Sequence, residues 1–154
     1  MDFVAPSLDM AAVMPIVLVL GAAVVAVLVD AFAPPARRAG INVVLSLVAL
    51  AVALGWIVGR AGTAVVSFNG AVVVDGVALF AQAAIVVFTA LSVLLYTETR
   101  LDPAGDPFTP AGSALPGSEL ERVLTLQRVR QTEVYPLTLF ASGGMMIFVA
   151  AGDL

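Results

Sequence analysis

The chain has 154 residues, of which 61% are apolar and only 12% charged, with a mean hydropathy of +1.08 and a formal charge of -4. A soluble domain usually carries about 25% charged residues, and a chain this short has room for one globular core at most, so the remaining apolar surface requires lipid or partner helices. Cys, His and Lys are absent and all seven cations are Arg, which excludes disulfides, thiolate chemistry, haem or iron–sulfur ligation and the usual zinc ligands.

The first charge-free run is Met10 to Val29. A spanning helix needs about 20 mostly apolar residues to cross a hydrocarbon core of roughly 30 Å. This run is apolar on all sides, which distinguishes a membrane helix from a half-buried soluble one. Pro15 lies near its start, where a missing N–H costs least. The first ten residues hold Asp2 and Asp9 and no cation. A signal peptide begins with a positive region, so an ordinary first span of about 11–32 is expected. Asp30 closes it and marks the interface.

Pro34 to Gly40 reads as a short polar connection in which prolines stop the helix and Arg37 and Arg38 anchor the interface. The second run, Ala39 to Gly59, predicts a span of about 40–59. Arg60 follows. Two β-prone segments, 64–68 and 71–75, then flank Asn69-Gly70. That pattern predicts a β-hairpin with a type I′ turn, since such a turn needs positive φ at both central residues. A lone hairpin is marginal and should pair with or pack on a neighbour.

The third run, Gly76 to Thr97, predicts a span of about 76–97. Asp75 precedes it, where a carboxylate suits the positive end of the helix dipole. Gln82 is expected to make an interhelix hydrogen bond. Residues 100–117 are rich in Pro and Gly and predict a mobile loop. Ser118-Glu119-Leu120-Glu121 fits a capping box that opens a short helix over about 119–131. The fourth run, Val134 to Gly152, predicts a span of about 134–152, with Pro136 in its first turn. Glu133 precedes it and Asp153 follows, where the dipole disfavours a carboxylate and a partner is expected.

The arginines orient the chain. The first and third connections hold six (Arg37, Arg38, Arg100, Arg122, Arg128 and Arg130) and the second holds only Arg60. Cations are retained in the cytoplasm, so the N-terminus and the hairpin are expected outside, with the C-terminal end of the fourth span. The fold class is therefore an all-α membrane protein with four transmembrane helices and a small β-hairpin in the outer loop between the second and third.

Catalytic, cofactor-binding and metal residues are not expected. Gly-rich phosphate loops and nucleophile–base pairs cannot be assembled, and the two commonest neutral-pH bases are missing. Ion and proton paths usually show ionisable residues within the spans, whereas here the acids Asp30, Asp75, Glu98, Glu133 and Asp153 sit at the edges. Of these, Glu133, Asp153, Asp75 and Asp30 are the polar-edge candidates, with capping or interfacial roles expected. Gly21, Gly55, Gly143 and Gly144 suit close helix contacts, expected with further helices or neighbouring subunits.

Certain phrases resemble a known family. Asp30-Ala31-Phe32, closing a segment entered at Met14-Pro15, resembles the start of subunit N of NADH-quinone oxidoreductase, the respiratory complex I. Residues 68–80 (FNGAVVVDGVALF) resemble the lead into its third helix, and residues 133–146 (EVYPLTLFASGGMM) resemble its fourth. The antiporter-like subunits L and M are less similar. The resemblance implies a bacterial plasma-membrane, multi-pass chain whose partners are other membrane-arm subunits and lipids, not nucleic acid. It implies redox-coupled proton translocation by a complex that carries FMN, iron–sulfur clusters, quinone and NADH on other subunits, with no cofactor here. Family members are much longer, and their central glutamate and lysines fall beyond Leu154. The expected role is peripheral packing and assembly. The competing expectation is a free-standing four-span scaffold without transport activity.

Overall fold

The computed structural model describes residues 9–97, 117–119 and 132–152. Four helices and one small sheet make up the described elements. In chain order they are α1 (Met10–Phe32), α2 (Pro35–Gly59), β1 (Val65–Ser67), a 3-10 turn (Phe68–Gly70), β2 (Val72–Val74), α3 (Gly76–Thr97) and α4 (Val134–Ala150). The expected loop over 100–117 and helix over 119–131 lie outside the described residues, apart from Gly117, Ser118 and Glu119.

Helices α1, α2 and α3 are each long and apolar enough to cross a membrane. Helix α4 has 17 residues, a rise of roughly 26 Å at 1.5 Å per residue. The chain is a membrane protein: in hydrocarbon every backbone polar group must be satisfied within its own segment, which helices achieve despite a high Val content.

Local chemistry sets the helix ends. The Asp9 side chain accepts from the Ala11 N–H at 2.9 Å and caps α1. Pro15 stands further inside α1 than its expected place near the start. It cannot donate to the carbonyl four residues back, which is that of Ala11. The Trp56 indole Nε1–H donates to that carbonyl at 3.1 Å, so the missing helix bond is replaced across the α1–α2 seam.

The connection between α1 and α2 is shorter than the sequence reading of Pro34 to Gly40. Only Ala33 and Pro34 intervene, and Pro35 to Gly40 are already helical. Pro at the first helical position has its φ preset and no N–H to waste. Arg37 and Arg38 therefore sit in the opening turns of α2, and Arg38 Nε donates to the Ala33 carbonyl at 2.7 Å, satisfying the end of α1.

The helices form a ring: α1 packs on α2 and α4, and α3 packs on the same two. Each buries one stripe. The inward residues are Ala12, Ile16, Val19, Ala23 and Ala26 on α1, and Asn42, Ser46, Leu50, Ala53 and Ile57 on α2. On α3 they are Ala78, Gln82, Val86, Thr89 and Val93, and on α4 Tyr135, Leu139, Ser142 and Met146. Spacings of three and four put each set on one helical face. The stripes are rich in small and polar side chains, while Val24, Leu28, Val44, Phe80, Phe88, Leu95 and Phe148 point outward. Lipid gives no hydrophobic drive between helices, so close approach and hydrogen bonds select the inner face.

The hairpin forms as expected between α2 and α3, but its turn differs. The strands pair antiparallel with Val65 opposite Val74 and Ser67 opposite Val72. A four-residue 3-10 connection replaces the two-residue type I′ turn, with positive φ at Phe68 (54°) and Gly70 (92°). The pairing that a marginal hairpin needs is supplied by the residues after α4. Val72 bridges Ala151, and the Gly152 N–H donates to the Ala71 carbonyl at 2.9 Å.

Candidate functional site: polar groups within the helical ring

Polar groups in this ring occur as two seams and two ends. At the hairpin end, the Asp9 N–H donates to Ser67 Oγ at 2.9 Å, and Arg60 Nη2 lies 3.5 Å from Asp9 Oδ2. Asp9 stands at the N-terminus of α1 and Arg60 at the C-terminus of α2, so each charge also suits its own helix dipole. Asp75 occupies the same end. Its Oδ1 accepts the Ala78 N–H at 2.7 Å and its carbonyl accepts the Leu79 N–H at 2.9 Å, which caps α3. Asp75 also lines an open groove of about 270 Å³ with Val73, Val77, Ala78, Val149, Ala151 and Gly152.

The opposite end holds Asp30 and Glu133. Glu133 is exposed and makes no side-chain cap to α4. Asp30 closes the span as expected. Helix α1 ends at Phe32, so Asp30 lies within its last turn and is the only carboxylate in the four described helices. Asn42 Nδ2 donates to Asp30 Oδ1 at 2.8 Å, and Ser46 Oγ donates to the Asn42 carbonyl at 2.7 Å. Asp153 lies outside the described residues. The candidates therefore do not converge: Asp75 stands at one end of the ring, Asp30 and Glu133 at the other.

The α3–α4 seam is tied by side chains. Gln82 is wholly buried and its Nε2 donates to the Met146 carbonyl at 3.4 Å, the interhelix role expected of it. Thr89 Oγ1 and Ser142 Oγ are 2.7 Å apart, and each also lies within reach of the carbonyl four residues back, Ile85 and Thr138. Two hydroxyls carry two protons. One therefore crosses the seam while the other returns to its own helix. A double-mutant cycle on Thr89→Ala and Ser142→Ala is expected to give a coupling of about 0.5–2 kcal/mol, read from unfolding in detergent by a steric-trap or denaturant assay; zero coupling would remove the bond from the account.

Asn42, Ser46, Thr89 and Ser142 were not singled out from the sequence. The signal was present: Asn42 and Ser46 stand four apart, and Gln82 and Thr89 seven apart, so each pair marks one helical face. In an otherwise apolar helix such residues show which side is turned away from lipid. Chemically these amides and hydroxyls hold helices together. Among the described residues no group of three or more His, Cys, Asp or Glu comes together to hold a metal.

No family model matches the chain. Curated relatives do. It is 40% identical over 164 residues to NADH-quinone oxidoreductase subunit N of a Nocardioides species, covering 100% of this chain and 31% of the relative. The corresponding protein of Beutenbergia cavernae is 42% identical over 165 residues, again covering 100% of this chain and 31% of the relative. That of Salinispora arenicola is 42% identical over 149 residues, or 97% of this chain and 29% of the relative. The chain thus spans about a third of the length of the relatives it matches.

Proposed function

We propose, from its homology along the whole chain to part of subunit N of the NADH-quinone oxidoreductases, that this four-helix ring is a packing and assembly element of a proton-translocating complex. In this reading its partners are other membrane-arm subunits and lipids. NADH, FMN, iron–sulfur and quinone chemistry belongs to other chains, and the proton-handling residues to other helices. The observation that carries the division of labour is the character of the interior. Between the helix ends, the described side chains that tie one helix to another are Trp56, Gln82, Asn42, Thr89 and Ser142, all of them neutral; the charged contacts, Arg60 with Asp9 and Arg38 with the Ala33 carbonyl, lie at the ends, and the one carboxylate among the four helices is tied to an amide. A relay needs groups that gain and lose protons in series.

Replacing Glu133 with Gln and Asp153 with Asn is expected to leave pumping per quinone reduced unchanged in an assembled complex, measured with a pH-sensitive dye in inverted vesicles. A large pumping loss at normal assembly would transfer these residues to the proton path. The free-standing scaffold is not favoured, because the matching relatives are subunit N throughout.

The location proposed is the bacterial plasma membrane with the N-terminus and hairpin outside. Its support is the excess of Arg in the connections at the other end. A Thr63→Cys variant adds a thiol at an exposed site next to the hairpin, read against the unsubstituted protein. Labelling by an impermeant maleimide in intact cells is expected; labelling only after lysis would invert the topology.

A further inference from the structure

The open groove at the hairpin end has apolar walls and one ionisable side chain. Val73, Val77, Ala78 and Val149 line it together with Ala151 and Gly152, and Asp75 supplies the charge. Asp75 is half-buried and stands ahead of α3, outside the apolar run. Its Oδ1 accepts the Ala78 N–H at 2.7 Å. Among the described residues its other oxygen has no hydrogen-bond or ion-pair partner. Helix α4 ends on the same groove with no basic residue in its last turn, so the negative end of its dipole adds to the carboxylate.

The arginines of this chain are placed elsewhere. Arg60, the one at this end among the described residues, is held by Asp9. Arg37 and Arg38 open α2 at the other end of the ring. The remaining four belong to the connection that leaves α3 and enters α4 at that same far end. The backbone after α4 is also led away from Asp75. Ala151 lies opposite Val72 in antiparallel sense and the Gly152 N–H reaches the Ala71 carbonyl, so the chain heads for the hairpin turn, whereas Asp75 follows the other end of β2.

We propose that this groove receives a lysine side chain from another membrane-arm subunit, with its stem on Val77, Ala78 and Val149 and its ammonium on the free Asp75 oxygen. This rests on the assembly role given under Proposed function and names a contact that serves it. A volume of about 270 Å³ is smaller than the roughly 300–1,000 Å³ of pockets for drug-sized ligands and suits one long side chain. Lysine fits better than arginine. A guanidinium fork pairs with both oxygens of a carboxylate, and one is already used here, whereas an ammonium is a point charge that needs a single acceptor. The apolar walls take the stem. A lipid amine fits less well, because its phosphate would bring a second negative charge to Asp75 and to the end of α4.

The test uses the whole complex, purified with the complete subunit. A water-soluble carbodiimide joins a carboxylate to an amine in contact with it as an amide. The 154 residues hold no Lys, so a lysine coupled to Asp75 comes from elsewhere. Mass spectrometry is expected to find the peptide holding Asp75 joined to a lysine peptide of another subunit. Asp75→Asn keeps an oxygen for the Ala78 N–H and is expected to abolish the product with the subunit still in the complex. Val77 is exposed and lines the groove, while Val66 is exposed on β1 and does not. Val77→Trp is expected to lower the yield about five-fold or more by filling the groove, and Val66→Trp to leave it unchanged. Asp75 left uncoupled in the assembled complex, coupled to a lipid amine, or coupled to a lysine elsewhere in the same subunit overturns the proposal and leaves the assembly role standing. Equal yields in the two Trp variants do the same. A subunit missing from the purified complex overturns the assembly role, and the proposal with it.

Discussion

Replacing Gly152 with Ala is expected to release the segment after α4 from the hairpin. A Cβ at this position would stand 2.0 Å from the Gly70 carbonyl oxygen and 2.8 Å from Val73 Cγ2. The first of these is backbone, so a rotamer change cannot relieve it. Either Gly152 or the turn must move, and with it go the Gly152 N–H bond to Ala71 and the Val72–Ala151 bridge. The expected cost is about 2–4 kcal/mol, in the range of steric insertion into well-packed sites together with a lost hydrogen bond. Limited proteolysis from the hairpin side should then cut between 60 and 76 in the variant and spare wild type. Equal resistance would mean that the hairpin holds without this pairing.

A Gly143→Val substitution is the second large effect. Helices α1 and α4 approach closely there: a Cβ would lie 2.4 Å from Leu20 Cδ2 and 2.7 Å from Leu20 Cγ. Leu20 must leave its rotamer or α4 must withdraw from α1, costing about 1–3 kcal/mol for overpacking. Here the obstacle is a side chain, so a smaller residue at position 20 provides room. The variant pair Leu20→Ala with Gly143→Val is expected to recover much of the stability, measured as unfolding free energy in detergent. Additive losses in the pair would show that the obstruction lies elsewhere. Gly144, the neighbouring glycine, has open space where its Cβ would stand, so Gly144→Ala serves as the control. Of the four glycines expected to contact outside helices, Gly143 is used within the chain. Gly21, Gly55 and Gly144 have no neighbour at the Cβ position.

These two glycines show where reading the chain as a string stops. Both occur in a run that looks uniformly small and apolar, and nothing in Ser142-Gly143-Gly144 says which of the pair meets Leu20. Gly152 looked like the fading end of a span, and its φ is unremarkable. Its requirement comes from the Gly70 carbonyl, 82 positions earlier in the chain. The Asn69-Gly70 signal was sound for a hairpin and wrong for the turn, because the connection is four residues long and places positive φ on Phe68. Asp30 is the third case. The expected span of about 11–32 agrees with α1, yet nothing in the order of residues showed that its carboxylate meets Asn42 across the α1–α2 seam.

The sequence by itself determined the membrane class, the four helices, the hairpin between the second and third, and the kinship in the phrases at 68–80 and 133–146. Each of these follows from local quantities: length of apolar run, β-prone segments about a turn, and residue order. What only the tertiary structure decided is which face of each helix turns inward. Hydropathy is nearly equal around these helices, so apart from the polar pairs Asn42 with Ser46 and Gln82 with Thr89 burial has no periodic signature to follow. In lipid the choice falls to packing and hydrogen bonds between helices. Those depend on partners far apart in the chain: Trp56 with Ala11, Gln82 with Met146, Thr89 with Ser142, and Asp30 with Asn42.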